Sequence, residues 1–368
     1  MPKRYDTIIV GASFAGLAVA SRLRGRVLLI DKDEIGEGQT SACGTLLGVP
    51  QRLGLMESVL QAQDALVFHL QDRTEVMDAR DHPFCTFDYG RFCRDFANRL
   101  NVEILRAGAQ RLDGDSVVTD QGIFAGTCIV DASGWRAVLA RTLRPDYADR
   151  RRMSYGIEAE APRGGDSLCF WYDPSLVPSG VQWFFPSGSN VRVGVASYAG
   201  DAHLRGHLNL FTESLGVARG RIHGGYFPAG LREPVVGNLF VVGDAAGQCL
   251  PFTGEGIRPA LYFGQACGDI VRALVDGRLS LEQGLLRYRR FVSRHRWMYR
   301  VMALSQLALL RLPVALSSRL IGLICREPLR SRILPGYVRF ADPCTLIPLP
   351  PVVRQTANRP LVLAASEA

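Results

Sequence analysis

Hydrophobic residues follow two different patterns near the start of this chain. Short uninterrupted apolar runs at Asp6 to Val10 and at Val27 to Ile30 are typical of parallel strands that are buried on both faces. The segment between them, Leu17 to Leu23, is rich in alanine and leucine and predicts a helix. The chain is therefore predicted to open with a strand–helix–strand unit and to adopt an α/β fold.

A glycine-rich turn joins the first strand to the helix. Residues Gly11–Gly16 read GASFAG, and Asp31 follows the second strand. Gly11 allows the sharp turn, Ser13 is small enough to let a pyrophosphate approach the backbone, and Gly16 allows the helix to pack closely. The helix N-terminus offers free N–H groups to phosphate, and Asp31 can accept hydrogen bonds from a ribose. This order predicts dinucleotide binding; an ordinary α/β turn is the alternative.

Two later segments repeat the transition from an apolar strand to a turn. The run from Thr127 leads into Asp131–Gly134, and the run from Asn238 leads into Gly243-Asp244. The turn Gly254–Ile257 follows, and a helix is predicted from about Arg258 to Leu274. Its first N–H groups can face an anion, and an aspartate after a glycine can reach a polyol hydroxyl. A plain strand-to-helix connection is the alternative.

Together these motifs resemble the flavoproteins of the para-hydroxybenzoate hydroxylase fold, which include aromatic monooxygenases, flavin-dependent halogenases, lycopene cyclases and geranylgeranyl reductases. The resemblance covers roughly residues 1–275 and implies FAD as the tightly bound cofactor. It also implies which residues bind FAD: Gly11, Ser13, Ala15, Gly16, Asp31, Lys32, Cys43, Gly44, Arg91, Gly134, Gly243, Asp244, Gly254, Gly256 and Ile257.

Two details resemble the geranylgeranyl reductase-like branch of that group. Cys43-Gly44 is similar to its Cys-Gly motif, in which the cysteine lies beside the isoalloxazine, and Trp183 belongs to a segment similar to its aromatic-x-Trp strand motif. The chain departs from the branch at Val181, where an aromatic residue is usual, and at Ala196, where glycine is usual. The resemblance implies that Cys43 and Trp183 are catalytic. Cys43 would be a proton donor or would shape the pocket, and a cysteine that only fills space is the alternative.

Charge and cysteine content narrow the function. The net charge is +8, but the only lysines are Lys3 and Lys32, so the tunnel lysine that a halogenase needs is missing. Basic residues form no continuous block, and no zinc-finger spacing is present, so no nucleic-acid partner is expected. The nine cysteines never form C-x-x-C, and no signal peptide is recognisable. We therefore expect a cytoplasmic protein without a metal site.

The pattern predicts a Rossmann-like FAD-binding domain, an inserted mixed β-sheet of α+β character, and C-terminal helices. We place the first part of the FAD-binding domain at 1–150, with an insertion near 50–85, and the second part at 235–278. The substrate domain occupies 151–234. The C-terminal helical region and tail occupy 279–368. Aromatic residues cluster at 170–172 and 183–185 and predict an apolar wall for a hydrophobic substrate; ordinary sheet core is the alternative.

The C-terminal region mixes arginines with aromatic residues between Arg287 and Arg300, and apolar runs follow at Val301 to Leu310 and Val314 to Leu323. Helices at a lipid interface and helices that cover the core both explain this pattern. We favour the second interpretation and keep peripheral membrane association as the alternative. No charge-free apolar stretch reaches the roughly 18 residues of a membrane-spanning helix.

The expected function is an FAD-dependent reductase that saturates C=C bonds of a prenyl, polyene or other hydrophobic small-molecule substrate. No second Rossmann unit is visible for a nicotinamide. NAD(P)H or a redox protein is therefore expected as a transient electron donor. The alternatives are a flavin monooxygenase that hydroxylates or epoxidises a hydrophobic natural product, and a flavin-binding protein without turnover.

Overall fold

A computed structural model describes residues 3–218 and 220–346. Its strands, in chain order, are β1 (Lys3–Val10), β2 (Val27–Asp31), β3 (Gly44–Leu46), β4 (Val59–Gln63), β5 (Ala65–Leu70), β6 (Thr74–Asp78), β7 (Phe84–Phe87), β8 (Glu103–Arg106), β9 (Ala109–Asp113), β10 (Ser116–Thr119), β11 (Gly122–Asp131), β12 (Met153–Ala161), β13 (Leu168–Tyr172), β14 (Gly180–Ser187), β15 (Asn190–Ser197), β16 (Ile222–Pro228), β17 (Val235–Val236) and β18 (Leu239–Val241). Its α-helices are α1 (Phe14–Ala20), α2 (Gly48–Leu53), α3 (Tyr89–Ala97), α4 (Val138–Leu143), α5 (Arg205–Ser214), α6 (Ile257–Val275), α7 (Leu281–Ser293), α8 (Arg296–Arg311), α9 (Val314–Cys325) and α10 (Leu329–Arg339).

The first sheet has the strand order β17-β18-β11-β1-β2-β8, and β9 and β10 continue it beside β11. The pairs β1/β11, β1/β2, β2/β8 and β11/β18 are parallel. Neighbouring residues of β1 enter different cores, since Ile9 packs with α1 and α6 and Ile8 packs on the opposite face. The predicted α/β class with a Rossmann-like sheet is confirmed.

Helices α1 and α6 approach each other through glycine. A Cβ atom at Gly264 would lie 2.7 Å from the carbonyl oxygen of Ala15, and one at Gly268 would lie 2.5 Å from that of Val19. Because neither position can carry a side chain without moving a backbone, the two helices lie closer than ordinary side chains allow. This contact brings the amino-terminal turn beside the segment that begins at Gly243.

The second sheet has the order β16-β12-β15-β14-β13-β5-β6. Alternate residues of β12, including Ile157 and Ala159, pack with Leu208 and Phe211 of α5. The residues between them face the other way. Strands β5 and β6 come from the segment predicted as an insertion near 50–85, and β13 pairs with β5 in parallel. The second sheet therefore draws on two distant parts of the chain, and the predicted domain boundaries stay a prediction.

Helices α9 and α10 cover the part of the second sheet formed by β5, β6, β13 and β14. Cys325 and Leu334 pack there against Leu66, Met77 and Phe185. Among the described residues, no helix has both the length and the apolar character needed to cross a bilayer. The tail beyond residue 346 lies outside the described residues.

A buried ion pair fastens α10 to the start of α6. Arg258 is fully buried, and its Nε lies 2.5 Å from Oε1 of Glu255. Its Nη1 donates hydrogen bonds to the carbonyl oxygens of Val338 at 2.7 Å and of Tyr337 and Phe340 at 3.3 Å. The guanidinium therefore binds the carbonyl-rich end of α10, where the helix dipole favours a cation.

Candidate active site

A cavity of about 1390 Å³ lies between the two larger sheets. The turn after β1, the end of β2 and the turns near Gly134 and Gly254 line one part of it. The second sheet and helices α8, α9 and α10 line the other part. Segments that are far apart in sequence thus share one space, which is large enough for both a dinucleotide and a second molecule.

The turn after β1 has no room for side chains at its glycines. Gly11 has φ +108°, and a Cβ atom there would lie 2.2 Å from the carbonyl oxygen of Ala132. At Gly16 it would lie 1.8 Å from the carbonyl oxygen of Gly11. The backbone N–H of Ala12 donates a 2.6 Å hydrogen bond to Oδ2 of Asp31, so the carboxylate at the end of β2 braces the turn while it lines the cavity.

Asp244 projects a carboxylate into the cavity from the segment before α6. Its low-polarity surroundings raise its pKa to about 6, although the charge of Arg232 acts in the opposite direction. Within the described part of the chain, no side-chain hydrogen bond is recorded for this carboxylate. Gly243 has φ +68°, and a Cβ atom there would lie 2.7 Å from that of Ala15. The two motifs therefore touch behind the cavity wall.

The cavity wall is bare backbone where a flat ring would approach. Gly134 has φ +71° and no atom within 4 Å of its missing Cβ, and a Cβ at Gly254 would come no closer than 3.6 Å to Phe227. Side chains at both positions would occupy the cavity that the two glycines line. Together with the carboxylate that Asp244 presents to the cavity, this arrangement fits FAD.

Cys43 lies in the cavity wall, next to the part that the second sheet forms. It is fully buried with φ +53°, and its Sγ donates to the carbonyl oxygen of Ser41 at 3.3 Å. Burial raises the pKa of this thiol well above its usual range, with the charge of Arg192 opposing the shift. A Cβ at Gly44 would lie 3.1 Å from the ring of Phe185. Cys43 is therefore a neutral thiol in the wall.

Not every residue predicted to bind the cofactor reaches the cavity. Arg91 lies on the surface of α3, 3.0 Å from Glu57 and 3.6 Å from Asp95. It is absent from the cavity lining, so its predicted role finds no support in its position. Gly16 and Gly243 also lie behind the wall rather than in it. The other predicted residues line the cavity: Gly11, Ser13, Ala15, Asp31, Lys32, Cys43, Gly44, Gly134, Trp183, Asp244, Gly254, Gly256 and Ile257.

Two arginines that the sequence analysis did not single out line the cavity near Gly134. Arg136 and Arg150 lie over the ring of Trp135, with the guanidinium carbon 5.1 Å and 5.2 Å from the ring centroid. All three residues line the cavity. Their positive charges therefore line the cavity, whereas that of Arg91 does not.

One row of directly opposed residues crosses six strands of the second sheet. The strand registers place Phe68 opposite Phe170, Phe170 opposite Trp183, Trp183 opposite Gly194, Gly194 opposite Glu158, and Glu158 opposite His223. Opposed residues in a sheet point to the same face. The row therefore runs from an aromatic surface to a carboxylate and a histidine.

Glu158 is a buried carboxyl group in the cavity wall. Trp183 Nε1 donates to its Oε2 at 2.9 Å. The indole reaches it across Gly194, where a Cβ atom would lie 2.1 Å from the ring. Nε2 of His223 lies 2.9 Å from the other oxygen, Oε1, at ion-pair distance but without hydrogen-bond alignment.

The pKa of Glu158 is raised to about 7, because burial penalises the charged form. The charge of Arg192 and the Trp183 hydrogen bond act against this shift, and the charge of Glu160 adds to it. Burial also lowers the pKa of His223. The sequence analysis did not identify Glu158 or His223. The available signal was a glutamate at 158 between the apolar residues 157 and 159 of one strand.

Apolar side chains enclose the rest of the cavity. Phe68, Phe170 and Phe185 form an aromatic surface in which Phe68 and Phe170 stack with ring centroids 5.4 Å apart. Opposite them, the helices contribute a group of mostly apolar lining residues: Met298, Val301, Met302, Leu309, Ile321, Ile324, Ile333 and Leu334. This part of the cavity suits a hydrophobic molecule.

Comparisons with known proteins agree with this geometry. Digeranylgeranylglycerophospholipid reductase 1 from Methanothermobacter thermautotrophicus is 27% identical over 322 residues, which cover 75% of this chain and 79% of that protein. A geranylgeranyl bacteriochlorophyll reductase-like structure from Thermoplasma acidophilum superposes with a TM-score of 0.80 at 17% identity, covering 92% and 97% of the two chains. A probable FAD-dependent monooxygenase from Pseudomonas aeruginosa gives 0.65 at 17% identity, covering 88% and 99%.

No protein-family model matches the chain. At their low identities the two solved structures establish the fold, and the sequence relative extends the likeness to most of the chain. The predicted resemblance to geranylgeranyl reductase-like flavoproteins is confirmed, as is the predicted class of FAD-dependent oxidoreductase.

Proposed function

We propose that this protein is an FAD-dependent reductase that saturates C=C bonds of a prenyl chain or a similar hydrophobic substrate. The observation that carries the proposal is the single cavity, in which the predicted FAD-binding turns open directly onto an aromatic and aliphatic compartment. Similarity to a digeranylgeranylglycerophospholipid reductase over most of both chains supports the substrate class.

Some of the cavity-lining residues would bind the cofactor, and others would enclose the substrate. Bound FAD in its reduced form supplies the hydride chemistry. The Gly11–Gly16 turn and Asp31 would hold the adenosine half, Asp244 the ribityl chain, and the turn Gly254–Ile257 the flavin ring. The stacked Phe68 and Phe170 exclude water and orient an extended chain toward Cys43 and Trp183.

The central experiment is an anaerobic single turnover. The purified protein is reduced with dithionite and mixed with a phospholipid that carries geranylgeranyl chains. The product should gain two hydrogens for each bond reduced, as measured by mass spectrometry, and omission of the protein is the control. A product that forms only with oxygen and gains an oxygen atom would instead support the monooxygenase alternative.

We also propose NAD(P)H or a reduced redox protein as a transient electron donor. The nucleotide-binding turn predicted from the sequence is needed for FAD, and no second one was found there. Anaerobic bleaching of the flavin by NADPH, by NADH and by a reduced ferredoxin would identify the donor. Bleaching by neither nicotinamide would leave the redox protein as the donor.

We further propose that α8 and α9 form a lipid-facing surface. Trp297 and Leu304 of α8 are 60% and 65% exposed, and Leu323 of α9 is 54% exposed. Val301 and Ile333 are both exposed and cavity-lining, so the surface continues into the substrate compartment. Exposed arginines at its edge, including Arg300, Arg311 and Arg319, favour anionic headgroups.

Vesicle flotation tests the lipid-facing surface. The protein should float with vesicles that contain anionic phospholipid, and the double variant Trp297→Glu/Leu304→Glu should not. Leu210→Glu is the matched control, because Leu210 is 58% exposed on α5 and lies outside the surface. Equal flotation of all three proteins would refute the proposal.

A further inference from the structure

We propose that Glu158 is the acid that protonates the substrate and that His223 returns a proton to it from solvent. The proposal rests on the reductase function and adds the source of the proton. Hydride transfer saturates only one carbon of a double bond, so the cavity must also supply a proton to the other carbon. Glu158 is a carboxyl group that faces this cavity and is almost completely buried.

Side chains of the sheet hold Glu158 on two sides. Trp183, whose ring occupies the space left by Gly194, holds Oε2 with its 2.9 Å hydrogen bond. His223 approaches Oε1 from the neighbouring strand β16. Because β12 lies between β15 and β16, these contacts hold the carboxyl group at one edge of the aromatic surface.

The charged groups around Glu158 explain why it can hold a proton near neutral pH. Arg192 on β15 stabilises the carboxylate, whereas Glu160 on β12 destabilises it. Burial and the charges of Arg192 and of Arg221, which immediately precedes β16, lower the pKa of His223 and favour its neutral imidazole, whereas the charge of Glu160 opposes them. Burial is the largest influence on Glu158 and leaves the group poised where general acids work best.

The proposed step balances in atoms and electrons. The π electrons of the double bond form a C–H bond with the carboxyl proton, and the O–H bonding pair stays on Glu158 as a carboxylate. The other carbon receives the hydride equivalent that the proposed function assigns to reduced FAD. The two transfers must coincide closely, because a free carbocation is unstable in an apolar cavity.

His223 then restores the acid. Its side chain is 21% exposed while that of Glu158 is 2% exposed, so the histidine connects the carboxylate to solvent. A neutral imidazole can accept a proton from solvent at Nδ1 and, as it does so, release the proton on Nε2 to Glu158, so that the ring ends neutral. In this role His223 and Trp183 are positioning and relay residues, and Glu158 is the catalytic one.

Infrared spectroscopy of the FAD-loaded protein without substrate gives a readout that does not depend on activity. A difference spectrum between about pH 5 and about pH 9 should show loss of a protonated-carboxyl carbonyl band that is absent from Glu158→Gln, with a midpoint at about pH 7. Trp183→Phe removes a hydrogen bond that favours the carboxylate, so the midpoint should move upward. Absence of the band in the wild type, or an unmoved midpoint in Trp183→Phe, would overturn the proposal.

Kinetics provide the second readout. In the anaerobic single turnover, Glu158→Gln should bind FAD normally and slow product formation about 100-fold or more, the usual contribution of a general acid. Glu103→Gln, on β8 and outside the cavity lining, is the matched control and should keep the wild-type rate. His223→Gln should keep the rate of this single turnover and lower the rate of repeated turnover with excess reductant, because only repeated turnover requires the acid to be restored.

The outcomes separate this proposal from the reductase function. If the wild-type protein reduces no prenyl lipid but the infrared band titrates as expected, the reductase function fails and the titrating carboxyl group stands. If Glu158→Gln reduces the lipid at the wild-type rate, the reductase function stands and Glu158 is not the acid.

Discussion

At the scale of single residues, two buried acids in the same cavity have different chemistry. Arg192 favours the charged form of both groups, but burial outweighs this influence at Cys43, which remains a thiol. Glu158 has an indole N–H and a nearby guanidinium, so it can exist in both protonation states near neutral pH. The sequence motif pointed to Cys43, whereas the charges and hydrogen bonds favour Glu158 as the proton source.

Substitution of Cys43 should affect turnover without affecting the acid. We expect Cys43→Ala to keep FAD and to reduce turnover, because the thiol shapes the wall beside the predicted flavin position. The pH dependence of the rate should stay unchanged, since the thiol pKa lies far above the working range. Absorbance of bound FAD and a pH–rate profile check this, and an unchanged turnover would remove Cys43 from the reaction.

Gly11→Ala should abolish FAD binding. The new methyl group would overlap the carbonyl oxygen of Ala132, and the turn that faces the cofactor would have to move. Gly277→Ala is the matched control, because Gly277 lies outside the cavity lining, its methyl group meets no atom within 4 Å, and its left-handed backbone costs only about 1–2 kcal/mol of strain. FAD titration of both variants measures the effect, and equal affinities would contradict it.

Asp244 should make the stability of the FAD-free protein depend on pH. Its pKa is raised from 3.8 to about 6 on folding, so the folded protein binds this proton more tightly than the unfolded chain. The resulting stabilisation is present below about pH 4 and is lost as the pH rises through about 6. Asp244→Asn should remove this loss, which urea unfolding at several pH values measures. The same variant should bind FAD more weakly.

At the scale of elements, the ion pair between Arg258 and Glu255 couples two helices that carry different parts of the site. Helix α6 begins at the turn that faces the predicted flavin position, and α10 forms part of the apolar compartment. The buried guanidinium joins them through main-chain carbonyl groups. The position of α10 in the wall of the apolar compartment therefore depends on the start of α6.

Arg258→Met should destabilise the protein by about 3–5 kcal/mol, because it leaves the Glu255 carboxylate buried without its partner. The double variant Arg258→Met/Glu255→Gln should recover much of that loss, since the unpaired charge is also removed. Denaturant unfolding of the FAD-free forms measures both. A double variant no more stable than the single variant would show that the carbonyl contacts matter more than the buried charge.

At the scale of the whole molecule, the sequence predicted those structural features that are determined by residues close together in the chain. The β1–α1–β2 unit, the turn between its first two elements and the start of α6 follow from local patterns. The position of β5 beside β13 does not, because it pairs segments about 100 residues apart. The pairing of Glu158 with His223 requires the register of β12 and β16, and no local pattern encodes that register. The resemblance assigned Arg91 to the cofactor, and the surface position of its side chain beside Glu57 and Asp95 is visible only in the structure.

FAD should stabilise the whole fold, because its predicted site joins segments from both ends of the described chain. At a free FAD concentration about 100 times the dissociation constant, binding should add about 2.7 kcal/mol. Thermal unfolding with and without FAD measures this. Gly11→Ala should show no such shift, and a wild-type protein indifferent to FAD would contradict the assignment of the cavity.

The hydrogen bonds from Arg258 to the end of α10 affect how the sequence of this protein can diverge. The guanidinium holds main-chain oxygens, which every amino acid provides, rather than particular side chains. Substitutions along α10 can therefore change the shape of the apolar compartment while Arg258 still holds the helix in place. Hydrophobic molecules of a different size could then be accommodated through substitutions in α10, without a change in the nucleotide-binding half.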